Sequence, residues 1–220
     1  MNELSLYHII QEPKIKTKDK APALFLFHGY GSDENDLFSF SSELPEELFV
    51  ISVRAPKPMQ PYGNAWYTIH WDNAMANGKF NDIPEAIASR DLIAKFIKEA
   101  TKTYNLDATN ISLLGFSQGC ILSLAVALSY PKLVKNIIGL SGYLDPEMLQ
   151  AGFEQQDFSG LNIFLSHGTV DQVIPIEWAQ KTPAFLAKVG IPCKLNEYPV
   201  GHAVAPQNFY DLKNWLIARI

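Results

Sequence analysis

Short, uninterrupted apolar runs recur along the chain and alternate with longer segments in which apolar residues return about once per helical turn. The run Ala23–Phe27 (ALFLF) is apolar at every position, as expected for a strand buried on both faces of a sheet. Leu4–Ile10 instead alternates apolar and polar residues, which is typical of an edge strand. The predicted strands are Leu4–Ile10, Ala23–Phe27, Leu48–Val53, Ile111–Leu114, Asn136–Leu140, Asn162–Ser166 and Lys194–Tyr198.

Four long segments between these strands have helical period or end at helix-breaking residues. In the first of them the apolar positions that recur about one turn apart are Ile83, Ile87, Leu92, Phe96 and Ala100. The predicted helices are Ile83–Tyr104, Gln118–Ser129, Ile176–Val189 and Gln207–Ile220. Because short buried strands alternate with helices, the chain is expected to form one α/β domain over residues 1–220, with a mostly parallel sheet covered on both faces.

The segment Ala55–Asp82 has no clear period and contains several helix and strand breakers early on, at Pro56, Pro58, Pro61 and Gly63. A long irregular stretch inside a compact domain is usually functional. We therefore expect this segment to form part of the rim of a pocket.

Composition and charge narrow the classes of partner. Apolar residues make up 47% of the 220 residues and charged residues 19%, which suits a globule with a sizeable core. The net charge of −5 argues against nucleic acid as a partner, because phosphate binding needs clustered cations. The one basic run is read as a solvated loop; it comprises Lys14, Lys16, Lys18 and Lys20. No apolar stretch reaches the roughly 18 residues of a membrane span, so no integral membrane association is expected.

The two cysteines, Cys120 and Cys193, fall in a predicted helix and a predicted late strand. With no disulfide-dense pattern around them, both are interpreted as free and mostly buried thiols. The N-terminal stretch Met1–Gln11 lacks the basic start and continuous apolar run of a signal peptide. A cytoplasmic protein is therefore expected.

The sequence Gly115–Gly119 reads G-x-S-x-G and lies between a buried strand and a helix, which is the setting of a nucleophile elbow. The turn is so sharp that a Cβ at Gly115 or Gly119 is expected to clash. Ser117 is then held in a strained backbone conformation with its hydroxyl clear of the sheet and a helix N-terminus behind it. The alternative reading is a surface turn that contains a serine by coincidence.

A serine hydroxyl needs an adjacent base, and the chain has five histidines. His8 lies in the first strand and is interpreted as structural, and His28 belongs to the loop after a central strand. His70 is either a pocket wall or a surface residue, and His167 is expected to support a turn. His202 is the predicted base, because it lies in a loop between the last strand and the last helix.

The predicted acid is Asp171, which follows a late strand and lies between Ser117 and His202 in the chain. This is the nucleophile, acid, base order of α/β-hydrolases. The rival is Asp145, which follows the preceding strand. Asp145 is more simply read as the cap of a helix that Pro146 opens.

The charge that develops on an attacked carbonyl oxygen needs backbone donors. One is expected to be the amide of Gln118, and the other to come from the loop His28–Gly31, which also leads into a helix capped by Ser32 or Asp33. The acidic residues that follow that loop, Asp33, Glu34 and Asp36, do not have the spacing of an EF-hand metal site, so helix capping is their favoured interpretation. No metal and no phosphate loop is predicted.

Several segments together resemble the carboxylesterase/phospholipase and acyl-protein thioesterase group of small α/β-hydrolases. They are His28–Asp33, Ala65–Tyr67, Gly115–Gly119, Ser166–Pro175 and Gly201–His202. The resemblance implies an α/β-hydrolase fold without a large separate lid domain. It implies a triad of Ser117, Asp171 and His202, and oxyanion donors in the amides of Tyr30 and Gln118.

Members of this group hydrolyse carboxylic esters, and some hydrolyse thioesters of acylated proteins, without a cofactor. By this likeness the partner is a small acyl ester of short to medium chain, held in a shallow apolar pocket. Trp66, Phe116 and Ile174 are candidates to line that pocket, with ordinary core packing as the alternative. The sequence departs from the group at Cys120, where glycine is usual, and at Thr68, where an acidic residue is common.

Three functions stay open at this point. The first is a serine carboxylesterase, and the second is a lysophospholipase or acyl-protein thioesterase with the same mechanism. The third is a hydrolase-fold binding protein that has lost catalysis. The sequence also leaves open whether the chain is a monomer or a homodimer.

Overall fold

A computed structural model describes residues 4–16, 19–70 and 80–220. The expectations for Met1–Glu3, for Lys18 and for residues 71–79 of the irregular segment lie outside the described residues. The strands are β1 His8–Gln11, β2 Ala23–Phe27, β3 Phe49–Val53, β4 Lys57–Pro58, β5 Asn64–Ala65, β6 Ile111–Phe116, β7 Asn136–Leu140, β8 Asn162–Gly168 and β9 Leu195–Tyr198. The α-helices are α1 Asn35–Phe38, α2 Ile83–Thr103, α3 Gln118–Ser129, α4 Ile176–Ala179, α5 Lys181–Lys188 and α6 Pro206–Ile217.

A seven-stranded sheet in the order β1-β3-β2-β6-β7-β8-β9 organises the described residues. β1 pairs antiparallel with β3 at one edge, and every other neighbouring pair in this sheet is parallel. The carboxyl ends of β2, β6, β7 and β8 therefore meet along one edge of the sheet. The prediction of a mostly parallel α/β-hydrolase sheet is confirmed, and the described residues form no separate lid domain.

Some strands and helices have the predicted bounds, and the others differ at their ends. β2 and α3 begin and end where predicted. β1 is shifted toward the C-terminus relative to the predicted Leu4–Ile10 and covers His8–Gln11, because these are the residues that lie opposite β3. The helix predicted over Ile176–Val189 is divided into α4 and α5. Pro183 has no N–H to donate to the carbonyl of Ala179, which explains the interruption.

The first helix also begins later than predicted, at Asn35. The prediction of Ser32 or Asp33 as the N-cap is wrong, because the N-cap is Glu34, which makes no side-chain capping hydrogen bond. Asp33 Oδ1 accepts the N–H of Asn35, the first helical residue, at 2.8 Å. Glu34, expected in the first turn, is instead buried and pairs with Arg54, whose Nε donates to Glu34 Oε2 at 2.6 Å. This hydrogen bond lowers the pKa of Glu34 despite its burial. The acidic residues thus supply a hydrogen bond to the start of α1 and an ion pair with Arg54.

Helices α2 and α3 cover one face of the sheet. Every side chain of α3 is buried, because α3 packs on β6 and β7 on one side and on α2 on the other. The N-terminus of α2 is capped by Asp82, whose Oδ1 accepts the Glu85 N–H at 3.1 Å. None of the helices in the described ranges is long and apolar enough to cross a membrane.

The segment after β5 is tied to α2 by Glu85. Its Oε2 accepts the Thr68 N–H at 2.7 Å, and its Oε1 forms an ion pair with Lys57. Lys57 Nζ also donates to Thr68 Oγ1 at 2.8 Å. The resembled group commonly has an acidic residue at the position of Thr68. Here the carboxylate of Glu85, in α2, binds the backbone at that position instead.

The hydrogen bond from Lys57 lowers the pKa of Glu85 from 4.5 to about 2. A depressed pKa means that the carboxylate stabilises the fold above about pH 4.5 and that this stabilisation is lost as the pH falls toward 2. We expect Glu85→Gln to lower the free energy of unfolding at pH 7, and this deficit to shrink as the pH falls. Both side chains of the ion pair are more than a third exposed, so solvent screening limits the deficit to about 1 kcal/mol.

Urea unfolding of both proteins between pH 7 and pH 3 measures this difference. The matched control is Glu154→Gln, which changes an exposed carboxylate elsewhere on the surface. A deficit that is the same at every pH would contradict the electrostatic explanation.

Candidate active site

Ser117 occupies a sharp turn between β6 and α3, with φ 54° and ψ −118°. A positive φ in a residue other than glycine costs about 1–3 kcal/mol and persists only where the surroundings enforce it. Two backbone hydrogen bonds hold Ser117 in this conformation. The Ser117 N–H donates to the Leu140 carbonyl at 2.9 Å, and the Ser117 carbonyl accepts the Ile121 N–H at 3.1 Å.

The two glycines of the motif are required by backbone crowding around this turn. A Cβ at Gly115 would lie 2.2 Å from the Gly119 carbonyl oxygen, and a Cβ at Gly119 would lie 1.9 Å from the Phe27 carbonyl oxygen. Both contacts are with main-chain atoms that cannot move aside cheaply. The motif thus brings the start of α3 against the end of β2, where the loop His28–Gly31 begins.

Asp171 lies in the loop after β8 and His202 in the loop after β9, and these two loops are in close contact. A Cβ at Gly168 would lie 2.2 Å from the carbonyl oxygens of both Val200 and Gly201, so the loop after β8 and the loop after β9 approach closely only because Gly168 has no side chain. Across this contact His202 Nδ1 donates to Asp171 Oδ2 at 2.7 Å. With its Nδ1 bound to a carboxylate, the His202 ring has Nε2 available as a base.

The Asp171 carboxylate is fully buried and is held by its own loop. Its Oδ1 accepts the amide N–H groups of Val173 at 2.8 Å and Ile174 at 2.9 Å. Burial favours a higher pKa for Asp171, but the hydrogen bonds from His202 and from these two amides outweigh it and lower the pKa. Asp171 therefore stays ionised and orients the imidazole.

A second imidazole lies against the same carboxylate. His167 is buried, and its Nε2 donates to the Ile174 carbonyl at 2.9 Å while lying 3.3 Å from Asp171 Oδ2. It thus closes the loop that carries Asp171, which agrees with its predicted support of a turn.

The other histidines have structural or surface positions. His8 contacts the Leu6 carbonyl and the Tyr104 hydroxyl, as expected of a structural residue. His28 Nε2 accepts the Ala55 N–H at 3.0 Å, and its burial lowers the pKa of the ring. His70 lies at the surface beside Asp82. Among the described histidines, only His202 lines the cavity at Ser117.

Ser117 and His202 both line a cavity of about 510 Å³ at the carboxyl edge of the sheet. Within the described residues no hydrogen bond joins Ser117 Oγ to His202 Nε2. Hydrogen bonds between a nucleophile and its base are commonly long or misaligned in unliganded enzymes and tighten when the substrate binds. The Phe116 ring packs on the imidazole with a centroid distance of 4.8 Å and holds it at the cavity wall.

Tyr30 and Gln118, the predicted oxyanion residues, both line this cavity. The Gln118 side chain fixes the neighbouring segment, because its Oε1 accepts the Trp66 N–H at 3.0 Å and its Nε2 donates to the Tyr67 carbonyl at 2.8 Å. Trp66 Nε1 in turn donates to the His28 carbonyl at 3.0 Å. The loop that carries Tyr30 is therefore linked to the start of α3 through Trp66.

The predicted pocket residues divide into two groups. Phe116 and Ile174 line the cavity. Trp66 does not: it is 1% exposed and packs against Phe27 in the core, while its neighbour Tyr67 lines the cavity instead. Trp66 therefore supports the site from behind. The sequence pattern could not distinguish the two residues, because they are adjacent aromatic residues in a segment without a clear period.

Asp145 and Cys120 also have structural roles. Asp145 Oδ1 accepts the Glu147 N–H at 3.1 Å and so caps the turn at Pro146–Met148. Cys120 is completely buried, which raises the pKa of its thiol to about 12. A Cβ at Gly142 would lie 2.7 Å from Cys120 Sγ, so the larger side chain at Cys120 is accommodated by a glycine opposite it. Cys120 and Cys193 are free, as expected.

The sequence of the chain matches a known protein family over nearly its whole length. The family model described as Phospholipase/Carboxylesterase matches residues 8–220. The chain belongs to the phospholipase/carboxylesterase family. An acyl-protein thioesterase 1 of Candida albicans is 26% identical over 92% of the chain and 94% of its own length.

Further relatives agree with this placement. A probable carboxylesterase of rice is 29% identical over 69% of the chain, and the match spans 57% of the rice protein. The chain spans only about half the length of this rice protein and of two carboxylesterases of Arabidopsis thaliana. The solved structure of a Bacillus cereus carboxylesterase superposes with a TM-score of 0.81 at 21% identity, covering 98% of this chain and 95% of the other, and establishes the shared fold.

Proposed function

We propose that this member of the family is a serine carboxylesterase that cleaves esters of short to medium acyl chains through an acyl-enzyme at Ser117. The observation that carries the proposal is the 2.7 Å hydrogen bond from His202 Nδ1 to a buried, ionised Asp171, at a cavity that Ser117 also lines. An oriented base beside a strained serine is the arrangement that activates a hydroxyl.

In the first half of the reaction His202 Nε2 takes the proton from Ser117 Oγ as the oxygen attacks the ester carbonyl. The carbonyl oxygen becomes negatively charged, and the amides of Tyr30 and Gln118 stabilise it; each such donor is worth about 3 kcal/mol. The intermediate then collapses. The bond to the alcohol oxygen breaks, and the alcohol leaves with the proton from His202.

In the second half water attacks the acyl-serine, and His202 accepts a proton from that water. A second tetrahedral intermediate collapses to release the carboxylic acid, and the proton returns to Ser117 Oγ. Asp171 keeps its negative charge throughout and stabilises the imidazolium in both halves.

A thioesterase acting on acylated proteins is the second candidate function. It is favoured by the similarity to the Candida albicans acyl-protein thioesterase over nearly the whole of both chains. The same residues would act, since only the leaving atom changes from oxygen to sulfur. A lysophospholipase would likewise differ in substrate and not in mechanism.

Rates on 4-nitrophenyl butanoate, on an S-acylated cysteine peptide and on a lysophosphatidylcholine distinguish these candidates. We expect kcat/KM to be greatest for the small ester. We expect Ser117→Ala to show no measurable hydrolysis of any of the three substrates. Equal hydrolysis by Ser117→Ala would contradict the mechanism. No hydrolysis of any of them by the unaltered protein would favour a hydrolase-fold binding protein.

The proposal includes a cytoplasmic location and requires no second subunit. Two free thiols suit a reducing compartment. Each residue to which we assign a catalytic role lies in one chain, so a monomer and a homodimer would serve the chemistry equally. Light scattering of the purified protein distinguishes the two states.

A further inference from the structure

The cavity at Ser117 has two chemically different sides, which the strand order separates. Ser117 follows β6, the central strand of the sheet. Ser32 and Asp36 lie after β2, on one side of β6, and contribute polar groups to the cavity. Tyr143, Ile174 and Trp178 lie after β7 and β8, on the other side, and contribute aromatic and aliphatic side chains to the cavity. An aliphatic acyl chain therefore fits the β7–β8 side.

A second cavity of about 450 Å³ lies beyond that apolar side. Four residues line both cavities and so form the wall between them: Phe80, Asn81, Tyr143 and Trp178. The second cavity is lined further by the apolar residues Ile83, Leu144 and Pro146 and by the charged residues Asp145, Glu147 and Lys181. We call the three rings Phe80, Tyr143 and Trp178 the aromatic partition.

The aromatic partition is held in place by ring packing and hydrogen bonds. Phe80 stacks on Trp178 with centroids 5.2 Å apart and planes at 22°, and Tyr143 meets Trp178 edge-on at 5.3 Å and 78°. Asn81 Nδ2 donates to the Tyr143 hydroxyl at 2.8 Å and lies 3.3 Å from Asp145 Oδ2. Trp178 contacts both other rings and is therefore the central member of the wall.

We propose that the aromatic partition, with Trp178 at its centre, sets the upper limit of acyl-chain length by closing the acyl site short of the second cavity. The proposal rests on the proposed function, because it assumes an ester held at Ser117. Each methylene that enters an apolar site raises kcat/KM several-fold, whereas a methylene that meets a fixed wall adds nothing. Trp178 would thus be a specificity-determining residue.

The test compares kcat/KM for 4-nitrophenyl esters of butanoate, octanoate and dodecanoate in the unaltered protein, Trp178→Ala and Trp178→Phe. Removing the indole joins the two cavities, so the dodecanoate-to-butanoate ratio of kcat/KM should rise at least about tenfold in Trp178→Ala. Trp178→Phe retains an aromatic ring in the wall, and its ratio should stay within about threefold of the unaltered protein.

Phe80→Ala provides an independent opening of the same wall, which keeps the test decisive if Trp178→Ala does not fold. Acetate esters of butanol, octanol and dodecanol form the control series, because the acyl assignment predicts no change in selectivity for the alcohol. An unchanged acyl ratio in both alanine variants would overturn the proposal, and so would a shift confined to the alcohol series. Absence of hydrolysis in the unaltered protein would instead refute the proposed function.

Discussion

Replacing Ser117 with alanine is expected to lower kcat for ester hydrolysis by about 10⁶-fold, because the acyl-enzyme cannot form. The residual rate should come only from the oxyanion donors and from substrate positioning. Initial rates on 4-nitrophenyl butanoate, with protein expressed where no host esterase contaminates the preparation, measure the loss. A reduction of less than about a hundredfold would show that another group carries the attack.

The matched control is Ser117→Gly, which removes the same hydroxyl and also the Cβ. Because Ser117 has φ 54°, alanine keeps the backbone strain of about 1–3 kcal/mol, whereas glycine adopts this conformation readily. Both variants should be inactive, but Ser117→Gly should unfold at a higher urea concentration than Ser117→Ala. Equal stability of the two would contradict the strain assigned to the turn.

Replacing Asp171 with asparagine is expected to lower kcat by about 10⁴-fold while the protein stays folded. An asparagine oxygen can still accept the amides of Val173 and Ile174, which preserves the loop. Its NH₂ group would face His202 Nδ1, however, and would stabilise the tautomer whose Nε2 carries the proton. The imidazole would then be unable to accept the serine proton.

Asp145→Asn is the comparison that separates the two candidate acids. Asp145 caps a turn through its Oδ1, which an asparagine replaces with little loss, so activity should fall by less than about tenfold. The reverse outcome, a small loss in Asp171→Asn and a large loss in Asp145→Asn, would transfer the role to Asp145.

The central strands and the turn at Ser117 could be predicted because their signals are local. Ala23–Phe27 is apolar at every position, and its sheet neighbours are strands of the same kind. Gly115 and Gly119 mark the turn because main-chain atoms leave no room for a Cβ. The extent of β1 was less predictable, since it depends on how many residues lie opposite β3.

Phe116 and Ile174 line the cavity as predicted, but its other walls could not be predicted in the same way. Tyr143 and Trp178 follow different strands and touch only after the sheet is assembled. The sequence shows no periodicity that links them, and the segment around Phe80 has none at all. Trp66 and Tyr67 illustrate the same limit, since adjacent aromatic residues face the core and the cavity respectively.

Ester hydrolysis in this cavity requires above all that Ser117 is the activated nucleophile, and labelling with a fluorophosphonate tests this directly. The reagent forms a covalent bond to an activated serine oxygen and releases fluoride, so the intact protein should gain the mass of one phosphonyl group. Peptide mapping should place that group on Ser117, and Asp171→Asn should react far more slowly. An intact protein that gains no mass, or a phosphonyl group carried by another residue, would contradict the account.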